Sequence, residues 1–201
     1  MQVLLMEHVE SGSMKRYDWS RHPIAALQDF IVQAVFALLD AHLSCGFSHG
    51  DFHVDNVLVA KTSRSHVTYD KLPGSPRVET HGLLAKLMDF ELSRFGSQPV
   101  SVFKDLQEFF GKSTNDLIPF ATLAPLQECW ICARDWAEQA SPFSPSDLCK
   151  AVLSLVPIIR KLEAVPPRPM KGGAKKKNEW DGPKKKPATP NIARKARKRG
   201  F

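Results

Sequence analysis

The residues of this 201-residue chain that could do chemistry concentrate in one stretch, Phe47-Ser48-His49-Gly50-Asp51-Phe52-His53-Val54-Asp55-Asn56-Val57-Leu58-Val59. It is a polar turn closed at once by the apolar run Val57-Leu58-Val59. A carboxylate can accept a proton, and carboxylate and amide oxygens suit a hard cation. Taken singly, Asp51 and Asn56 would just as readily cap local backbone. His49, Asp51 and His53 alternate along the turn, which raises zinc as a competing reading. Zinc prefers tetrahedral His and Cys sets, and no Cys lies beside these histidines. A second element, Lys86-Leu87-Met88-Asp89-Phe90-Glu91, sets another carboxylate at the end of an apolar run.

Together, the His-x-Asp followed by Asn and a short strand, and the later Asp-Phe-Glu, resemble the catalytic loop and metal-binding Asp-Phe-Gly of the protein-kinase-like superfamily. The resemblance implies that Asp51 accepts the substrate hydroxyl's proton, and that Asn56 and Asp89 hold Mg²⁺ against the phosphates of ATP. It also implies that His49 packs beneath the loop and bonds backbone, that Phe90 anchors Asp89, and that Asp105 grips the loop backbone from a helix. His53 stands where typical protein kinases carry Lys. The form His-x-Asp-x-His-x-x-Asn is similar to aminoglycoside and choline phosphotransferases and to divergent viral and haspin-like protein kinases. Glu91 replaces the family's Gly, which predicts a segment after Asp89 that is less free to adopt positive φ. No Ala-Pro-Glu follows Phe95, so a full activation loop and peptide-docking segment are not expected.

Several elements must position these groups. Residues 1–9 read as a short strand that Ser11-Gly12-Ser13 breaks; in the resemblance they enter the hinge, where Glu7, His8 and Val9 would pair with adenine. Between His22 and Gly46, Pro23 suits a first helical position and Ile24, Leu27, Ile31, Ala34, Val35, Leu38 and Leu43 recur at helical spacing. Residues 61–82 are polar, with Pro73-Gly74 and Ser75-Pro76 turn signals. They predict one hairpin with a long loop, joining a strand at Val57–Val59 to one at Leu83–Met88. Asp105 could also serve as the N-cap of its helix. An amphipathic helix is expected over 122–140, with Cys129 and Cys132 as core thiols. Ser144-Pro145-Ser146-Asp147 opens a last helix, which Pro157 should kink.

The charge is unevenly placed. From Arg168 onward there are thirteen Lys and Arg against Glu179 and Asp181, a net +11 within a chain total of +7, so the remainder carries −4. Residues 165–201 are expected to be a disordered basic tail. Its blocks Lys175–Lys177, Lys184–Lys186 and Arg194–Arg199 are similar to a nuclear import signal, and would equally give salt-sensitive, non-specific contact with nucleic acid. Four scattered cysteines argue against a disulfide scaffold. With no apolar run expected to cross a bilayer and no signal peptide, a soluble intracellular protein, nuclear or cytoplasmic, is expected.

The fold class expected is α+β, mainly helical: a kinase-like large lobe over residues 1–164 that begins at the hinge and carries its site on a small β hairpin. The family's small lobe, with its Gly-rich loop and strand lysine, is not found here. The resemblance implies a phosphotransferase moving the ATP γ-phosphate to a hydroxyl, a protein Ser/Thr before a small molecule, with the small lobe supplied by an upstream segment or another chain. The alternative is a catalytically inactive binding module tethered to nucleus or nucleic acid by its tail.

Overall fold

The computed structural model describes residues 9–139 and 144–166, which belong to one compact unit ending at Pro166. Glu7, His8 and the basic tail from residue 167 lie outside the described residues.

Helix α1, Ile24–Cys45, is the spine of this unit. Its apolar residues bury Phe30, Ile31, Val35, Leu38 and Leu39 completely or nearly so. Pro23 caps the helix with extended backbone and does not occupy its first turn, while Gly46 ends it in the left-handed region at φ 66°. At 22 residues α1 is long and apolar enough to cross a membrane by length and composition, contrary to expectation. Its neighbours cover it: α1 packs on β4, α4 and α2, which makes it a core helix.

After α1 comes a single 3₁₀ turn, Val54–Asn56, and then strand β1, Val57–Lys61. β1 pairs antiparallel with β4, Leu83–Leu87, in the register Val57 to Leu87 and Lys61 to Leu83. The long loop expected between them holds a second hairpin: β2, His66–Thr68, pairs with β3, Arg77–Glu79. Period-two patterning is hard to detect in strands of three residues. Val78 is the buried centre of β3. The Ser11-Gly12-Ser13 break also proves to be paired backbone. Met14 donates to Val57 O at 2.7 Å and Val59 donates to Gly12 O at 2.9 Å, so this segment edges the hairpin.

Three helices complete the unit: α2, Pro99–Leu117; α3, Leu123–Glu138; and α4, Pro145–Ile159. α4 opens with the capping box expected of Ser144 and Asp147, and Pro157 lies inside it. α2 begins six residues before Asp105, with Gln98 as its cap, so Asp105 is an interior helical residue and not an N-cap. Cys129 is fully buried at the α3 interface, and burial pushes its thiol well above the ordinary range.

Two aromatic rings tie α2 to the turn before β1. Phe52 stacks on Phe109 with centroids 4.7 Å apart, and both side chains are fully buried. Phe109→Ala is expected to cost about 3–5 kcal/mol through lost burial and the cavity left behind. Urea denaturation of the purified protein measures this; a cost below about 1 kcal/mol would mean that the site collapses around the gap.

Candidate functional site

Residues 47–56 form a loop whose backbone is held from below by α2. Asp105 Oδ2 accepts the His49 N–H at 2.7 Å, and Oδ1 accepts the Gly50 N–H at 2.8 Å. Asp105 is 3% exposed. Burial pushes its carboxyl above the ordinary 3.8, against the opposing pull of those two N–H donors. Gly50 sits at φ 82°, where a Cβ would lie 2.4 Å from Leu92 O, so the close approach of the 90s segment requires glycine here.

That segment is stitched to the same loop. Ser48 and Arg94 exchange N–H to O bonds at 2.9 Å in both directions, and the Ser93 hydroxyl donates to His49 O at 3.0 Å. His49 is fully buried and its Nε2 lies 2.9 Å from Met88 O. A carbonyl can only accept, so the ring carries its proton on Nε2. Phe47 and Phe90 pack edge to face at 5.8 Å, and His49 lies 5.6 Å from Phe90. Phe90 therefore contacts the ring beneath the loop, although it is 54% exposed.

Asp51 and Asn56 are brought together. Asn56 is buried, and its Nδ2 donates to Asp51 O at 2.9 Å and to Asp51 Oδ2 at 3.4 Å. With Nδ2 committed, Oδ1 is the atom Asn56 can offer a cation. Asn56 O in turn accepts the Met88 N–H at 3.0 Å, which ties the residue before Asp89 to the same loop. Asp89 itself adopts φ 61°. The positive φ expected to trouble Glu91 thus falls two residues earlier, on an Asp, a residue that tolerates this region because its short polar side chain bonds locally.

Two donors meet Asp51, the His53 imidazole and the Lys112 ammonium. His53 Nε2 lies 3.4 Å from Asp51 Oδ2, and Lys112 Nζ lies 3.3 Å from Oδ1. His53 Nδ1 accepts the Asp55 N–H at 3.2 Å, so its remaining N–H is the one directed at Asp51. Lys112 is also paired with Glu108 one turn earlier on α2. Burial alone would raise the Asp51 carboxyl, but the Lys112 hydrogen bond and the neighbouring His53 ring outweigh it and hold it below 3.8. Sequence reasoning missed Lys112 and Glu108. The only signal was their i, i+4 spacing, which ordinarily marks a solvated helix face.

Of the three hinge candidates only Val9 is described; its carbonyl accepts the Gly12 N–H at 3.4 Å. The donor set of Asn56 and Asp89 is all oxygen, which fits Mg²⁺. Among the described residues, no cysteine stands near the histidines of the loop that would complete a zinc set.

No family model matches the chain. It is 28% identical to the serine/threonine-protein kinase haspin of Mus musculus over 107 residues, 52% of this chain and 14% of that protein. It is 32% identical to haspin of Bos taurus over 83 residues, 41% of this chain and 11% of the relative. An uncharacterized protein of Caenorhabditis elegans matches 82 residues at 28% identity, 41% of this chain and 28% of its own length. The chain thus spans a small part of these relatives. The similarity supports a kinase-like relation over about half of it.

Asp105 and Asp51 predict opposite pH signatures. A carboxyl raised in the folded state stabilises less as pH climbs above 3.8, so the deficit of Asp105→Asn relative to wild type should be largest in acid and shrink upward. A depressed carboxyl contributes above 3.8 and loses that contribution as pH falls. The deficit of Lys112→Met should therefore appear near neutrality and vanish in acid. Asp105→Ala, which strips the His49 and Gly50 N–H groups of their acceptor, is expected to cost about 2–4 kcal/mol in acid and, as with Asn, less as pH rises. Denaturant titrations of the three variants across pH 3 to 7, roughly the carboxylate window, check all of this.

Proposed function

We propose that the chain is the large-lobe portion of a kinase-like phosphotransferase, moving the γ-phosphate of ATP to a hydroxyl of a protein Ser or Thr. The observation that carries this reading is the Asn56 junction. One buried residue joins Asp51, through its side-chain amide, to the strand end that carries Asp89, through its backbone carbonyl, on a loop clamped by Asp105. The partial similarity to haspin, named as a serine/threonine-protein kinase, points the same way.

Each residue then has a defined task. Asp51, held ionised by Lys112 and His53, orients the acceptor hydroxyl and takes its proton. A base with a depressed pKa suits a loose phosphoryl transition state, in which positioning matters more than proton abstraction. His53, in the place of the family's Lys, presents its Nε2–H beside Asp51. Asn56 and Asp89 would hold Mg²⁺, which when bound neutralises charge on the phosphates. His49 and Phe90 keep the strand end registered against the loop. Adenine would meet the chain at Glu7, His8 and Val9, and the roof of the nucleotide site would come from an upstream segment or a second chain.

A second reading, an inactive binding module, draws on the exposed apolar row beside the loop: Phe90, Leu92 and Phe95 are 54%, 59% and 74% exposed. Such a row suits a partner surface. The basic tail would then supply nuclear or nucleic-acid tethering.

Radiolabelled ATP with Mg²⁺ and a Ser/Thr-bearing protein acceptor, assayed on the protein together with its small lobe, separates the two. Asp51→Asn is expected to lower transfer by about 10²–10⁴, and Asp89→Asn to abolish Mg²⁺-dependent nucleotide binding. Transfer indifferent to Asp51, or neither transfer nor nucleotide binding by the intact assembly, would leave the binding module as the better account.

A further inference from the structure

Beside α1, three side chains converge that the phosphotransferase reading does not use. Asp29 comes from the first part of α1, Glu79 from the end of β3 and His81 from the turn into β4. His81 Nε2 lies 3.0 Å from Asp29 Oδ2 and 3.6 Å from Glu79 Oε2, and the three ligand atoms all fall within 4.8 Å of one another. With metal–ligand bonds of about 2.0–2.2 Å, a tetrahedral zinc site has ligand atoms about 3.4 Å apart. The two measured separations bracket that value.

The surroundings fit a ligated carboxylate. Asp29 uses its other oxygen, Oδ1, to accept from the Arg160 guanidinium at 3.1 Å, the kind of outer hydrogen bond that orients a metal-binding carboxylate. Glu79 and His81 also line an open cavity of about 700 Å³ bounded by residues 62–66, 77 and 79–82, which leaves a path for an ion and a water. An ion-pair knot explains only part of the arrangement. Asp29 between His81 and Arg160 would be complete by itself, whereas Glu79 brings a second negative charge to the same spot with its side chain three-quarters exposed. A divalent cation offsets that repulsion. Imidazole among the donors favours zinc-class ions over Mg²⁺, which prefers oxygen alone.

We propose that Asp29, Glu79 and His81 bind a divalent transition-metal ion of the zinc class, with water in the fourth position, and that the ion staples α1 to the β3–β4 turn. The site is separate from Asn56 and Asp89 and does not depend on any catalytic activity.

Isothermal titration of the chelator-stripped full chain with Zn²⁺, and with Mg²⁺ as control, tests this, alongside thermal unfolding with and without Zn²⁺. The expected result is about one zinc per chain, a rise in unfolding temperature with Zn²⁺, and no comparable response to Mg²⁺. Glu79→Gln changes an exposed side chain and so should fold. His81→Asn keeps a residue that accepts the observed positive φ of 49°. Each is expected to weaken zinc binding at least ~10-fold and to abolish the thermal shift. Absence of zinc binding by wild type, or zinc binding retained at full strength in either variant, for instance through Cys129 and Cys132, would overturn the assignment.

Discussion

The site depends first on one buried carboxylate. Asp105 spends both oxygens on consecutive N–H groups, those of His49 and Gly50, and it does so where only 3% of its surface meets solvent. Backbone amides at a sharp turn have no sheet or helix partner of their own, and burying them unpaired would be costly. By accepting both, Asp105 lets residues 47–56 run through the core as an ordered loop. Phe52 stacked on Phe109, four residues along the same face from Asp105, adds apolar contact to that polar clamp. Loop geometry and helix position are thus one constraint.

Everything chemical sits on that constraint. Once His49 and Gly50 are fixed, Asp51 and His53 can meet, and Asn56 can bond the Asp51 backbone with its side-chain amide and Met88 with its backbone carbonyl. The 90s segment is then drawn against the loop by the Ser48 to Arg94 bridge, which Gly50 permits by lacking a Cβ. The exposed apolar row of Phe90, Leu92 and Phe95 follows from the same path: this segment is tied down by its backbone, so its side chains need not be buried. Asp51 ends with a donor on each oxygen, the imidazole of His53 on its own loop and the ammonium of Lys112 on α2. One is two residues away in sequence and the other is 61.

The contrast between these two donors shows what was legible beforehand. His53 could be singled out because it falls inside a recognisable spacing. Lys112 could not, because a Glu108 and Lys112 pair at i, i+4 reads as an ordinary solvated face until the helix is docked. Asp105 was legible as a grip on the loop only through family resemblance; its local pattern equally suggested a cap, and α2 in fact starts six residues earlier. The small β2–β3 hairpin and the strand-like Gly12 to Met14 edge were missed for a related reason. Segments of three residues carry too few alternations to reveal a period, and their pairing is decided by neighbours.

What the sequence determined by itself is local. The apolar stripe and left-handed Gly46 bounded α1, Ser144 and Asp147 opened α4 with their capping box, and the turn chemistry of 47–56 separated a polar loop from the strand that follows. These depend on residues within one or two turns of each other, where backbone sterics and capping act directly. Tertiary structure alone decided which of two geometries Asp105 adopts, that Lys112 belongs to Asp51, that positive φ falls on Asp89 and not Glu91, and that Asp29, Glu79 and His81 share one corner. Each of these is a meeting of groups far apart in the chain, and only the packing of α1, α2 and the hairpins brings them within bonding distance.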